Sequence, residues 1–138
     1  MLGVEEEKDE MTKTGRSTHI GDVTGVAVTV ADQDRAVEFY VGTLGFEVRR
    51  DVPMGTGGRW IQVARPGAQV TIALVAAEGT TSGVDTGITL ATTDAKADHA
   101  TLSDLGVDVD ELLRWPGVPA MFIFRDPDGN QLKLMEAS

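Results

Sequence analysis

Apolar residues alternate with small or polar ones most clearly in two stretches of the chain. In the first, Val26, Val28 and Val30 share one side of an extended segment, and Gly25, Ala27 and Thr29 share the other. In the second, Ile88 and Leu90 oppose Gly87, Thr89 and Ala91. Both patterns predict strands with one bulky face for a helix to cover and one small, partly polar face. Each strand ends at an aspartate, Asp32 or Asp94, placed as a helix N-cap. Helical spacing follows. Ala36, Val37, Tyr40 and Leu44 precede Gly45, and Ala95, His99, Leu102 and Leu105 precede Gly106. Three strand-length runs come next in each half: Phe46–Arg50, Arg59–Ala64 and Val70–Val75, then Val107–Asp110, Met121–Arg125 and Gln131–Met135. Each half therefore reads β-α-β-β-β, with the Gly/Thr/Ser-rich stretch 78–82 as a linker.

The halves are one pattern written twice. Thr24-Gly25 and Asp32 return as Thr86-Gly87 and Asp94, an offset of 62, and Pro66-Gly67 falls on Asp128-Gly129. Leu44-Gly45-Phe46 returns as Leu105-Gly106-Val107, slipped by one position. A period near 60 is too long for a solenoid unit and too short for two ordinary domains. The expectation is one domain over 21–138 made of two modules, about 21–78 and 83–138, sharing a pseudo-symmetric core. Residues 1–20, with the charge run Glu5–Glu10, read as a tail.

Composition narrows the function classes. At 41% hydrophobic residues the chain can bury a real core, and no apolar run is long enough to span a bilayer. The formal net charge of -10 argues against nucleic acid and anionic membranes as partners. With no cysteine there is neither a disulfide framework nor thiolate chemistry, and the chain is expected in the cytoplasm.

Val28-Thr29-Val30-Ala31-Asp32 with Ala36-Val37-Glu38-Phe39-Tyr40 and Leu44-Gly45-Phe46 resembles the opening of the vicinal oxygen chelate superfamily. This is the superfamily of glyoxalase I, extradiol dioxygenases and bleomycin-resistance proteins. Phe124-Arg125-Asp126-Pro127-Asp128-Gly129-Asn130 resembles its closing turn, in which Asp126 and Asp128 are expected to be turn formers rather than catalysts. The resemblance implies an α+β fold, two βαβββ modules curving around a cleft, and a homodimer, sometimes with modules exchanged between chains. It also implies four metal-ligand positions, one on the first and one on the last strand of each module. Here they match Gly25, Gly87, Thr71 and Lys133. Glycines offer no side-chain donor and an ammonium repels a cation, so no metal and no other cofactor is expected. His99 is expected on the apolar side of its helix, and Glu136 on the helix side of the last strand.

By the same parity the cleft should be lined by Gly25, Ala27, Thr29, Gln69, Thr71, Ala73, Gly87, Thr89, Ala91, Gln131, Lys133 and Met135. Trp60 and Gln62 join the candidate ligand contacts from an intervening strand, and Met54 and Trp115 sit in loops near an entrance. Small, neutral, hydrogen-bonding walls suit a small organic ligand. Lys133 is the one cation of the set, able to hold an anionic oxygen or, if desolvated, to act as a base or imine former. The first functional expectation is a metal-free binding protein of the glyoxalase/bleomycin-resistance type that sequesters a drug or metabolite and so confers antibiotic resistance. The alternatives are a superfamily lyase, isomerase or dioxygenase using Lys133 or an atypical metal site, and a module for protein association.

Overall fold

The computed structural model of the chain describes residues 17–55, 57–77 and 83–137. The inferred linker, 78–82, and most of the inferred tail lie outside them. The first half runs β1 (Gly25–Val30), α1 (Gln33–Val37, continued by a π-helical stretch Glu38–Thr43), β2 (Glu47–Pro53), β3 (Arg59–Ala64) and β4 (Thr71–Ala76). The second runs β5 (Asp85–Thr92), α2 (Ala95–Asp104), β6 (Asp108–Val109), β7 (Leu113–Trp115), β8 (Val118–Arg125) and β9 (Gln131–Glu136). The architecture is α+β, with two sheets ordered β1-β4-β3-β2 and β5-β9-β8-β6. In each, the first strand is an edge that runs parallel to the last, and the other pairs are antiparallel.

The caps form as the sequence predicts. Asp32 Oδ1 accepts from Arg35 N at 3.1 Å, and Asp94 Oδ1 from Ala97 N at 3.0 Å. Gly45 and Gly106 close the helices at the same φ of 85°, and Gly67 and Gly129 turn into the last strands at 85° and 83°. The one-residue slip between the halves has a physical form. An extra residue in an α-helix is accommodated by π winding, and α1 is π-wound over Glu38–Thr43 whereas α2 is a regular α-helix. That winding buries two consecutive aromatics, Phe39 and Tyr40.

Three expectations need correction. A short strand, β7, was not foreseen; it pairs with β8 because Gly117, at φ 79°, folds the chain back after Trp115. Trp115 is thus on a hairpin, about half exposed, rather than in an irregular loop. Leu105, assigned to the buried stripe of α2, is 60% exposed, since it is the C-cap beyond the last covered turn.

The bulky faces of the two sheets contribute to one core. Val28, Val30, Ile61, Val63, Ile72 and Leu74 join Phe122, Phe124, Leu132 and Leu134, with Phe39 and Tyr40 from α1 and Leu102 from α2. Phe39 spans the halves, its ring centroid 6.3 Å from that of Phe124. Beside it lies a buried polar junction. Tyr40 Oη donates to Asp126 Oδ2 at 2.9 Å, and Asn130 Nδ2 donates to Thr29 O at 2.9 Å and to Asp126 Oδ2 at 3.0 Å. Asp128 Oδ1 accepts from Ala31 N and from Arg35. The two aspartates do form the closing turn, and they also tie it to the first half.

Candidate functional site

The small faces are built by strand register. In the first sheet Gly25 lies opposite Thr71, Ala27 opposite Ala73, and Gln62 opposite Ala73. Gln62 Nε2 donates to Thr71 Oγ1 at 3.2 Å. Trp60 shares this face, since it alternates with the fully buried Ile61 and is 36% exposed. Thr29, opposite Val75, completes the row on β1. Gln69 is not on the sheet. It lies exposed in the bend ahead of β4, whose first pairing bond is Thr71 N to Thr24 O.

In the second sheet Lys133 lies between Thr89 and Ile123, Met135 between Ala91 and Met121, and Gln131 opposite Arg125. The repeat places Gly87 beside Lys133, as Gly25 is beside Thr71. The structure places Thr89 there instead. Four steps along β5, from Asp85 to Thr89, span two steps along β9, from Gln131 to Lys133. This bulge is satisfied locally: Asp85 Oδ1 accepts from Gly87 N, and Thr86 Oγ1 accepts from Ile88 N and donates to Gln131 O. Because the slip is two residues, the faces are preserved.

Gly87, Thr89, Gln131 and Lys133 come together with Asp85 and Ile123 around a pocket of about 190 Å³. Among the described residues, neither of the two pockets found is enclosed between the two small faces. Gly25, Ala27, Gly87, Thr89 and Ala91 are all exposed, and the larger space between the halves is bordered mainly by bulky-face side chains such as Val26, Ile72 and Leu134. Lys133 makes no ion pair among the described residues.

Sequence reasoning missed two cations on these faces. Arg50 lies opposite Gln62, on the small face of the first sheet, because an extra residue at Arg49 resets the register of β2. Arg125, opposite Gln131, is held by Asp110 at 2.9 and 3.2 Å, and Asp108 lies 3.6 Å away. These hydrogen bonds raise the pKa of Arg125 and hold the Asp110 carboxyl below its ordinary value. Counting back across the closing turn from Gln131 would have found Arg125. The bulge that places Arg50 has no comparable signal.

The four ligand positions implied by the family do not fit a divalent metal. At Gly25 an added Cβ would meet Thr71 Oγ1 at 3.1 Å and Thr71 O at 3.3 Å. Gly87 has φ +73°, which a donor-bearing side chain adopts only with strain. Lys133 offers an ammonium, and the Thr71 hydroxyl is engaged by Gln62. Among the described residues no three His, Asp or Glu side chains gather as a cation site. Glu136 is occupied elsewhere, its Oε1 accepting from Ala95 N at the start of α2. His99 packs edge-on to Phe122, with Nε2 2.8 Å from Asp110 O.

Comparison with known proteins adds independent findings. The sequence model of the Glyoxalase/Bleomycin resistance protein/Dioxygenase superfamily matches residues 16–134. The crystal structure of TnmS3, an antibiotic binding protein from Streptomyces sp. CB03234, is 38% identical with a TM-score of 0.77, covering 88% of this chain and 100% of that one. A superfamily member from Sphaerobacter thermophilus DSM 20745 is 36% identical with a TM-score of 0.80, covering 87% and 100%. Among curated relatives, YetH of Bacillus subtilis (strain 168) is 36% identical over 55 residues, which are 40% of this chain and 46% of YetH. YurT from the same organism is 49% identical over 43 residues, 31% of this chain and 33% of YurT. The matched stretches thus span from a third to about half of those two relatives.

Proposed function

Because the chain belongs to the Glyoxalase/Bleomycin resistance protein/Dioxygenase superfamily, we propose that it binds a small organic molecule on its small sheet faces without a resident metal and releases it unconverted. The observation that carries this reading is the donor set at the four family positions: two glycines held by close approach or positive φ, a threonine already hydrogen-bonded, and a lysine. The similarity to an antibiotic binding protein supports it. The role is sequestration of a drug or metabolite in the cytoplasm, and resistance to that compound follows. Lys133 and Arg50 suit a ligand carrying an anionic or electron-rich oxygen.

The proposed active form is a homodimer. Among the described residues the edge-strand parts of both small faces, Gly25 and Ala27 on β1 and Gly87, Thr89 and Ala91 on β5, are exposed, and β1 and β5 are sheet edges. Free edges and open faces favour a second copy, with a module of each chain closing the cleft. A second reading, an enzyme working through Lys133, is favoured only by the lack of an ion pair at that residue among the described residues.

The deciding experiment is elemental analysis of protein purified without chelator or affinity-tag metal, combined with a thermal-shift screen and recovery of each hit. Substoichiometric metal, a bound compound recovered unchanged and a sedimentation mass near twice 14.7 kDa are expected. A stoichiometric divalent ion, or chemical conversion of the hit, would overturn the binding reading. A monomer mass would overturn the dimer.

A further inference from the structure

The repeat allows each half to serve as a standard for how the other is packed. At the offset of 62, Leu90 is only partly buried where its counterpart Val28 is 2% exposed, while Ile88 is partly buried and its counterpart Val26 is itself 36% exposed. The reason lies in the helices. α1 covers its strand with two consecutive buried aromatics, Phe39 and Tyr40. The buried residues of α2 are Ala95 and Leu102. Thr101 of α2 corresponds to Phe39 at the offset of 62 that holds before the π insertion, and to Tyr40 at the offset of 61 that holds after it. On either alignment a threonine stands where the first half has an aromatic ring.

The consequence is a cavity of about 720 Å³ on the helix side of β5. Val26, Ile72, Ile88, Leu90, Leu102 and Leu134 line it, and Thr101 borders it. The space is partly open to solvent, and its volume lies within the range of ligand pockets, roughly 300–1,000 Å³. Its charged border is balanced, with one acid, Asp98, and one base, Arg65, and the Asp98 carboxylate already accepts from Thr92 Oγ1. Lys133 is not on it. The space opens round the free edge of β5 at Gly87, Thr89 and Ala91.

We propose that this cavity is a second binding site, for an uncharged and mainly apolar molecule bearing at most a hydroxyl or carbonyl. Its apolar lining, Ile88, Leu90, Leu102 and Leu134, lies on the side of the second sheet away from Lys133, and the two spaces share only the β5 edge at Gly87, Ile88 and Thr89.

The test is fluorescence titration with the neutral probe N-phenyl-1-naphthylamine on wild type, Thr101→Phe and Thr101→Ser. Phe supplies the ring that the first half has, and Ser leaves the space empty. Saturable binding near one probe per chain is expected for wild type and Thr101→Ser. Thr101→Phe should lose affinity by about tenfold or more, as expected when packing displaces the ligand. If Thr101→Phe does not fold by circular dichroism, Leu90→Phe fills the same space from the strand. The proposal is overturned if wild type gives no saturable binding, or if a folded filling variant binds the probe as tightly as wild type. A change in sedimentation mass in the filling variant would also overturn it, because the space would then belong to a subunit contact.

Discussion

Tyr40 is the only tyrosine in the chain, so its ionisation can be followed without interference from another. It is fully buried and donates to Asp126 Oδ2, while Asp126 also accepts from Asp128 N, Asn130 N and Asn130 Nδ2. Burial foremost, then the charge of Asp126, the hydrogen bond to it and the charge of Asp128 push the Tyr40 pKa well above its ordinary 10.0. A group whose folded pKa is raised contributes its stability below the unfolded pKa and loses it as pH rises. Below pH 10.0 the phenol is protonated in both states. Above it the unfolded chain ionises and the folded chain does not, so stability falls by about 1.4 kcal/mol per pH unit from this residue. Tyr40→Phe removes a hydrogen bond to a carboxylate, costing about 1.5–3 kcal/mol at neutral pH, and removes the tyrosine share of the alkaline slope. Urea unfolding across the alkaline range, with tyrosinate absorbance and circular dichroism recorded together, measures both effects. Tyrosinate should appear only as the fold is lost. A tyrosinate midpoint near 10.0 in protein that is still folded, or an unchanged alkaline slope in Tyr40→Phe, would refute the reasoning.

Two further outcomes are expected. Lys133→Met should weaken the best anionic ligand about ten- to a hundredfold, the value of a charged hydrogen bond; equal thermal shifts in wild type and mutant would remove Lys133 from recognition. Asn130→Ala should cost at least about 3 kcal/mol in urea unfolding. The fully buried amide accepts from Gly83 N and Val84 N and donates to Thr29 O and Asp126, so truncation strands several buried groups. A loss below about 1 kcal/mol would show that water replaces the amide.

The parts of the fold that were legible in the sequence rest on local physics. Alternation identified the edge strands β1 and β5, aspartates marked the caps, and glycines marked the positive-φ stops. Features set by tertiary context were not legible. The slip at Leu105 was visible, yet nothing in Glu38–Thr43 distinguished a π-wound segment from a deletion in the other half. The two-residue bulge of β5 depends on hydroxyl and carboxylate bonds from Thr86 and Asp85, residue types that read equally well as ordinary strand ends. Asp126 and Asp128 were readable as turn formers. Their bonds to Tyr40, Ala31 and Arg35 join residues 86 to 97 positions apart, beyond any local pattern.

The candidate site divides in the same way. Parity assigned Ala27, Thr29, Thr89, Lys133 and Met135 to their faces, because period-two alternation survives any even slip. It could not say which faces of the two sheets meet, which is decided by Phe39 reaching Phe124 across the halves. Nor could it distinguish two glycines that occupy equivalent places for different reasons. Gly25 lacks room, since a Cβ would meet Thr71 Oγ1 at 3.1 Å, while Gly87 has open space but a φ of +73°. A histidine or glutamate at the first would have to push Thr71 aside by a few tenths of an ångström, and at the second would hold a strained backbone in the bulge that positions Thr89 beside Lys133. Restoring a family-type metal site would therefore meet a tight contact in the first module and a strained backbone in the second, so strand geometry as well as side-chain chemistry disfavours the donors.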